Sequence, residues 1–222
     1  MNLTESTSLD RLMDEHPLAA RVFARYGIDF CCGGDRPLGS ACKIAGVEPT
    51  EVMTALRDEL ERSAVPLEHW QGATVQDLIE HIVAHYHVPL RAELPRLEGL
   101  ARRLSLLHRA QDGERLDELR ATLRKLRAVL EQHLPKEEDV LFPALRSGDS
   151  SALASHEANE AEERVVGQLL DHLRELTDDY TVSAEGCNSR RALYAGLAAL
   201  HRDTQQHIQL EHDVLPSRVL AG

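Results

Sequence analysis

The chain has 222 residues, of which 42% are hydrophobic and only 4% aromatic, and carries a formal net charge of -12. An acidic balance with Lys and Arg well dispersed argues against nucleic acid as a partner. The start, Met1-Asn-Leu-Thr-Glu-Ser, has no basic or apolar leader region, no later stretch approaches about 18 uncharged residues, and the cysteines make no secretory disulfide framework. The expectation is a soluble protein of a reducing cytoplasm, with no nucleic-acid and no membrane partner.

No run of alternating apolar residues suggests strands, so the fold class is all-α. Residues 1–62 read as a small N-terminal helical domain. It runs from Ser8 to Tyr26 with Pro17 inside, through Gly27 and the loop Cys31-Cys32-Gly33-Gly34, to Pro37–Ala45 and Pro49–Glu61. Helices that short need one another to be stable. Residues 63–73, with Pro66 and Gly72, read as a linker. Over 74–222 four long amphipathic segments follow: Thr74 to His108, on to Arg146 after the turn at Gln111-Asp112-Gly113, Ser151 to Leu176, and Asn188 to Leu220. Short connections between long helices predict an antiparallel four-helix bundle. Pro89, Pro95 and Pro135 each remove a backbone hydrogen bond, so kinks are predicted there, with Pro135 marking the least regular part of the second helix.

The second helix carries a seam of three and four spacing: Leu116, Leu119, Leu123, Leu126, Leu130, His133, Glu137, Val140, Ala144. Side chains four apart project from one face of a helix, so His133 and Glu137 take successive core-facing positions. An unpaired carboxylate there would cost several kcal/mol or protonate, which makes a metal ion the simplest explanation. The fourth helix repeats the arrangement with Leu193, Leu197, Leu200, Thr204, His207, Glu211, Val214, and Glu137-Glu-Asp-Val-Leu matches Glu211-His-Asp-Val-Leu. Two helices each offering a His and a Glu inward make half of a dinuclear carboxylate site.

Histidines at the same height complete the set. At a rise of about 1.5 Å per residue, His87 in the first helix matches His133 and continues the stripe Ile79, Val83, Leu90, Leu94. His81 and His85 point further round and compete with it. His156 is the one early histidine of the third helix, and it lies as far from the 147–149 turn as Glu137 does, to within about one helical turn. The predicted ligands are therefore His87, His133, Glu137, His156, His207 and Glu211. With Glu137 and Glu211 each bridging two ions and each ion taking two imidazoles, there is room for an oxo bridge and an open position. That donor set suits two non-haem iron ions as Fe–O–Fe. Zinc is the rival metal, although this number of donors exceeds the closed four-coordinate sites it prefers.

Taken together, Asp29-Phe-Cys-Cys-Gly-Gly34, Tyr86-His87, His133-x3-Glu137-Glu-Asp-Val-Leu-Phe-Pro143, His156-Glu157 and His207-Ile-Gln-Leu-Glu211 make the chain resemble the iron-sulfur cluster repair di-iron proteins, the Repair of Iron Centres family. The resemblance implies a hemerythrin-like bundle with a di-iron centre, fused to a small domain that carries the Cys pair. It implies a cytoplasmic role in restoring iron-sulfur clusters damaged by nitric oxide or oxidative stress. The implied partners are damaged iron-sulfur proteins and small gas ligands, nitric oxide and dioxygen. Position by position, the implied ligands are the six reached from spacing. The oxygen-carrying hemerythrins have a second His where this chain has a Glu in the fourth helix, which argues against simple dioxygen carriage. The chain departs from the family in a shorter segment between Glu137 and His156, in Ser155, and in Pro135. Glu157, Glu160 and Glu163 are candidates to line an iron path, against the bland reading of a solvated helix face.

Adjacent Cys31 and Cys32 cannot close a relaxed disulfide with each other, and the two glycines after them leave the loop open to close approach. They are read as redox or thiol candidates: a thiol donor, a metal or nitrosyl ligand, or an intermolecular link. Cys42 is a candidate third thiol, and Cys187 is incidental. The predicted mechanism has the reduced centre binding nitric oxide or an oxidant and surrendering iron to a damaged cluster. The Cys pair passes electrons, nitrosyl groups or iron to the client. Two other readings stay open, a nitric oxide reductase at the same metals and a hemerythrin-like sensing module for dioxygen or nitric oxide. The electron donor, the client and whether the chain forms a homodimer are not read from the sequence.

Overall fold

The computed structural model describes residues 3–31, 34–61, 70, 72–149, 151, 153–183 and 186–221, the side chains of 153–159 and 220–221 excepted. Among these residues there is no strand, only an isolated bridge between Ser8 and Pro37. The N-terminal part holds four short helices, α1 Leu9–Glu15, α2 Ala19–Arg25, α3 Leu38–Ala45 and α4 Pro49–Glu61. Pro17 splits the first predicted segment in two, because a helix does not run through the residue before a proline without strain. The Ser8 hydroxyl accepts from the Arg11 N–H at 3.3 Å and caps α1. Gly46, at φ 71, closes α3 in the left-handed region. Leu9, Leu12, Phe23, Leu38 and Leu56 form the core of this part, and Ala192 of the bundle belongs to the same cluster. The Arg21 guanidinium ties the two parts together, 2.9 Å from Glu59 on α4 and 3.0 Å from Glu93 in the bundle. Most of the predicted linker lies outside the described residues.

The bundle is built of four rods. The first is α5 Val75–Ile82, a widened π-turn π1 Val83–His87, and α6 Val88–Leu107. The second is α7 Arg109–Lys136, π2 Glu137–Leu141 and α8 Phe142–Arg146. The third is α9 Leu153–Leu176. The fourth is α10 Asn188–Gln209, π3 Leu210–Val214 and α11 Leu215–Ala221. Helix α6 packs on α7, α7 on α9, α9 on α10 and α10 on α6, which closes the ring. No described helix is long and apolar enough to cross a membrane.

The widened turns correct the expectation about prolines. The N–H groups of Val88, Phe142 and Leu215 bond five residues back, to Val83, Glu137 and Leu210. In each of these three rods the next residue is a proline, Pro89, Pro143 or Pro216. A proline ring in a regular helix collides with the carbonyl four residues back and leaves it without a donor. Opening the preceding turn by one residue relieves the collision, and such turns gather at functional sites. Pro135, by contrast, sits within α7, whose one residue with non-helical dihedrals is Asp112.

One extra residue per turn also shifts the buried face. Val140, placed on the seam by regular spacing, is 64% exposed, while Leu141, Phe142 and Leu145 are buried. In the fourth rod Leu215 is buried and Val214 only partly. The apolar interior is thereby divided. A long cluster around Leu97, Leu126, Leu170 and Leu197 fills most of the bundle, and a shorter one around Ile79, Ile82, Leu141, Phe142 and Leu215 fills the end beyond the widened turns.

Candidate metal centre

The polar layer between these clusters is where the predicted donors meet. His87 closes π1, Glu137 opens π2 and Glu211 is the second residue of π3, while His133 and His207 lie one turn earlier on α7 and α10. Two quartets of buried donors result, each with ligand atoms within 4.8 Å of one another: His87, Glu137, His207 and Glu211, and His133, Glu137, Glu163 and Glu211. Glu137 and Glu211 belong to both.

Contacts within the layer are those of groups aimed at a common centre. Nε2 of His87 lies 2.9 Å from Nε2 of His207. Two nitrogens each about 2.1 Å from one ion and at right angles would be about 3 Å apart. His207 Nε2 is 3.1 Å from Glu211 and His133 Nε2 is 2.8 Å from Glu137. These approaches lack hydrogen-bond direction, and all four carboxylate oxygens of Glu137 and Glu211 are buried without a hydrogen bond. Buried acceptors without donors are costly, and a cation answers them. The donor set therefore fits metal ions.

The imidazoles are turned to serve as ligands. Nδ1 of His87 donates to Glu138 at 2.6 Å and Nδ1 of His133 to Glu162 at 3.2 Å, which leaves each Nε2 facing the layer. Glu138 is itself held by Arg91 at 2.9 Å, and Glu162 by Lys136. Tyr86 stacks on His207 and Phe142 on His87, closing the layer against water.

Electrostatics show what the layer lacks. Burial, followed by the charge of Glu211, pushes the Glu137 carboxyl up to about 7. Burial and the neighbouring His207 push His87 down to about 4, so it stays a neutral imidazole. Burial alone would lower His133, but Glu137, Glu211 and Glu162 push it up to about 9. Two buried carboxylates side by side call for a positive charge, which a metal ion would provide.

Five of the six predicted ligands are brought together. The side chain of His156 lies outside the described residues, and its position in α9 is seven residues before Glu163, about 10 Å along the helix axis. His81 and His85, the competitors of His87, are taken up in a ring stack with Trp70 instead. Of the candidate path residues, Glu160 is exposed, Glu163 is in the layer, and the Glu157 side chain lies outside the described residues. Sequence reasoning missed Glu163 as a donor, although the α9 seam Leu173, Leu170, Val166 leads to it in steps of three and four.

The described cysteines, Cys31, Cys42 and Cys187, are elsewhere. Cys31 Sγ lies 2.7 Å from Ser189 Oγ, at the start of α10. His207 is eighteen residues further along that helix, about 27 Å away. At that separation Cys31 does not reach the donors directly within one molecule. Cys32 lies outside the described residues. Cys42 is fully buried in the small core, where burial pushes its thiol up and makes it a poor nucleophile. Cys187 Sγ sits 3.6 Å from His108 Nε2.

Fold and donors together define a hemerythrin-like, cation-binding helical bundle. Residues 78–217 match the family model of the hemerythrin HHE cation binding domain, and residues 5–60 match a domain of unknown function, DUF542. The chain is 34% identical over 219 residues to iron-sulfur cluster repair protein YtfE of Yersinia pestis (strain Pestoides F), covering 97% of each chain. The same figures hold for the protein of that name from Yersinia pseudotuberculosis serotype O:1b (strain IP 31758). For that from Edwardsiella ictaluri (strain 93-146) the identity is 35% over 208 residues, 92% of each chain. The chain belongs to this family of iron-sulfur cluster repair proteins.

Proposed function

We propose that the chain is a di-iron protein that repairs iron-sulfur clusters damaged by nitric oxide or oxidative stress, binding the damaging molecule and donating iron. The observation that carries this is the pair Glu137 and Glu211, shared by two quartets of donors, with four buried oxygens and no hydrogen bond. On this reading Glu137 and Glu211 would be shared by two irons, with His87 and His207 holding one and His133 the other. The relatives' name supplies the cluster-repair role, and damaged iron-sulfur proteins are the partners it implies.

Bound there, iron supplies open positions for a small gas and a redox couple. The protein's own part is positional. Glu138 and Glu162 keep the Nδ1 protons of His87 and His133 away from the layer, and Tyr86 and Phe142 keep water from it. Carboxylate and imidazole donors, without thiolate, hold ferrous iron loosely enough to give it up. Cys31 remains a thiol candidate for an intermolecular link at the far end of the bundle.

The test is anaerobic restoration of a dehydratase whose cluster has been damaged by nitric oxide, with the iron-loaded chain as sole iron source. Glu137→Leu and Glu211→Leu should fold, lose the dinuclear centre and fail to restore activity. Two irons retained in both variants would refute the assignment, and nitrous oxide released during turnover would favour the reductase reading.

A further inference from the structure

The two bridging carboxylates are not the only ones in the layer: a third reaches it from the third rod. Glu163 sits on the buried seam of α9, 7% exposed, with Oε1 buried and without a hydrogen bond. Its Oε2 is held by Nε2 of His212 from π3. One oxygen is thus fixed by an imidazole from the neighbouring rod, while the carboxylate supplies a ligand atom within 4.8 Å of those of His133, Glu137 and Glu211.

Height along the rods agrees. Matching distances from the middle of the 147–149 turn pointed to His156, but the residues of the turn itself add no helical rise. Counted from the helix ends, Glu137 is nine residues before α8 stops at Arg146 and Glu163 is ten after α9 starts at Leu153. Position 163 therefore lies level with the bridging carboxylate.

We propose that Glu163, rather than His156, is the ligand contributed by the third rod, and that the two metal positions are chemically unequal in consequence. This rests on the dinuclear reading above. One position has two imidazoles, His87 and His207, and shares the two bridging carboxylates. The other has a single imidazole, His133, and three carboxylates, Glu163 with the same two bridges. Oxygen donors favour hard divalent ions such as the manganous ion, whereas imidazole suits zinc and copper. The oxygen-rich position selects hard ions and rejects soft ones more strongly than its neighbour.

The test is titration of the chelator-stripped full-length chain with manganous ion, followed by electron paramagnetic resonance and by competition with zinc. The wild type should bind two manganous ions per chain, with a spin-coupled signal from the pair. Glu163→Ala should keep one ion at the wild-type affinity and bind the second at least about tenfold more weakly, with the coupled signal gone. Retention of the first ion shows that the variant has folded. Glu163→His should hold two ions, with the second position now shifted towards zinc. His156→Ala should titrate as the wild type. Wild-type titration by Glu163→Ala, or loss of the second ion in His156→Ala, would overturn the proposal. Fewer than two manganous ions in the wild type would instead remove the dinuclear reading beneath it.

Discussion

Replacing Glu137 with leucine should make the metal-free protein more stable. The carboxyl is fully buried, has no hydrogen bond, and is pushed from 4.5 up to about 7 by burial and by Glu211. At about 1.36 kcal/mol per pH unit, an ionised Glu137 costs the folded chain about 3 kcal/mol. The folded value lies above the unfolded one, so the penalty is absent below about pH 4.5, grows as pH rises, and is complete above about pH 7. Against a total stability of about 5–15 kcal/mol, that is a large fraction. In urea, with chelator present at about pH 7.5, the Glu137→Leu midpoint should rise by about 1.5 M for a slope of about 2 kcal/mol per molar. Near pH 5 the gain should shrink below about 1 kcal/mol. Ferrous iron at about a hundredfold excess over its dissociation constant should return about 2.7 kcal/mol to the wild type and little to the variant. If the stripped variant is no more stable than the stripped wild type at neutral pH, protein groups already compensate the carboxylate, and the need for a cation falls.

Glu138→Gln should weaken metal binding about 10- to 100-fold by loosening the His87 ring, measured by chelator competition; unchanged affinity would deny Glu138 that role. Gly196→Ala puts a Cβ 2.5 Å from Leu97 Cδ2 and 2.9 Å from Arg96 Nη2, so the side chains of Leu97 and Arg96 on α6 must shift, Leu97 within a closed core. The expected loss is about 1–3 kcal/mol, read from the thermal midpoint. Burial would raise Glu93, but Arg96 and Arg21 hold its carboxyl below 4.5. Its contribution is therefore present above about pH 4.5 and lost as pH falls through the folded value. Glu93→Gln should cost about 3 kcal/mol at neutral pH by leaving Arg21 and Arg96 poorly paired, and should flatten the acid limb of the stability curve.

The bundle and most of its site could be read from the sequence because His133, Glu137, His207 and Glu211 interrupt leucine seams at helical spacing. That spacing assumes one uniform helix. At Glu137 and Leu210 the chain adds a residue per turn, and the seam then passes to Leu141 and Leu215 rather than Val140 and Val214. The local signal for this is the proline that follows each widened turn, Pro89, Pro143 and Pro216, and its effect emerges only when the carbonyl it displaces is traced. Glu163 was hidden for a different reason. An acidic residue among Glu157, Glu160 and Glu162 looks like a solvated face, and only its step from Val166 and Leu170 sets it apart. The distance between Cys31 and the layer depends on how the small core seats against Ala192 and Ser189, and no local pattern carries that.

The donors cut the bundle's interior in two, with hydrocarbon on either side of a charged waist. Among the described residues, Ile79, Phe142 and Leu215 on one side belong to a different apolar cluster from Leu97 and Leu170 on the other. A bound cation would then act as a rivet through all four rods, and chelation would leave the terminal segments α5, α8 and α11 held mainly by one another. That end of the molecule becomes the place where amide exchange should quicken first, so that loading with metal and closing of the tip are one equilibrium.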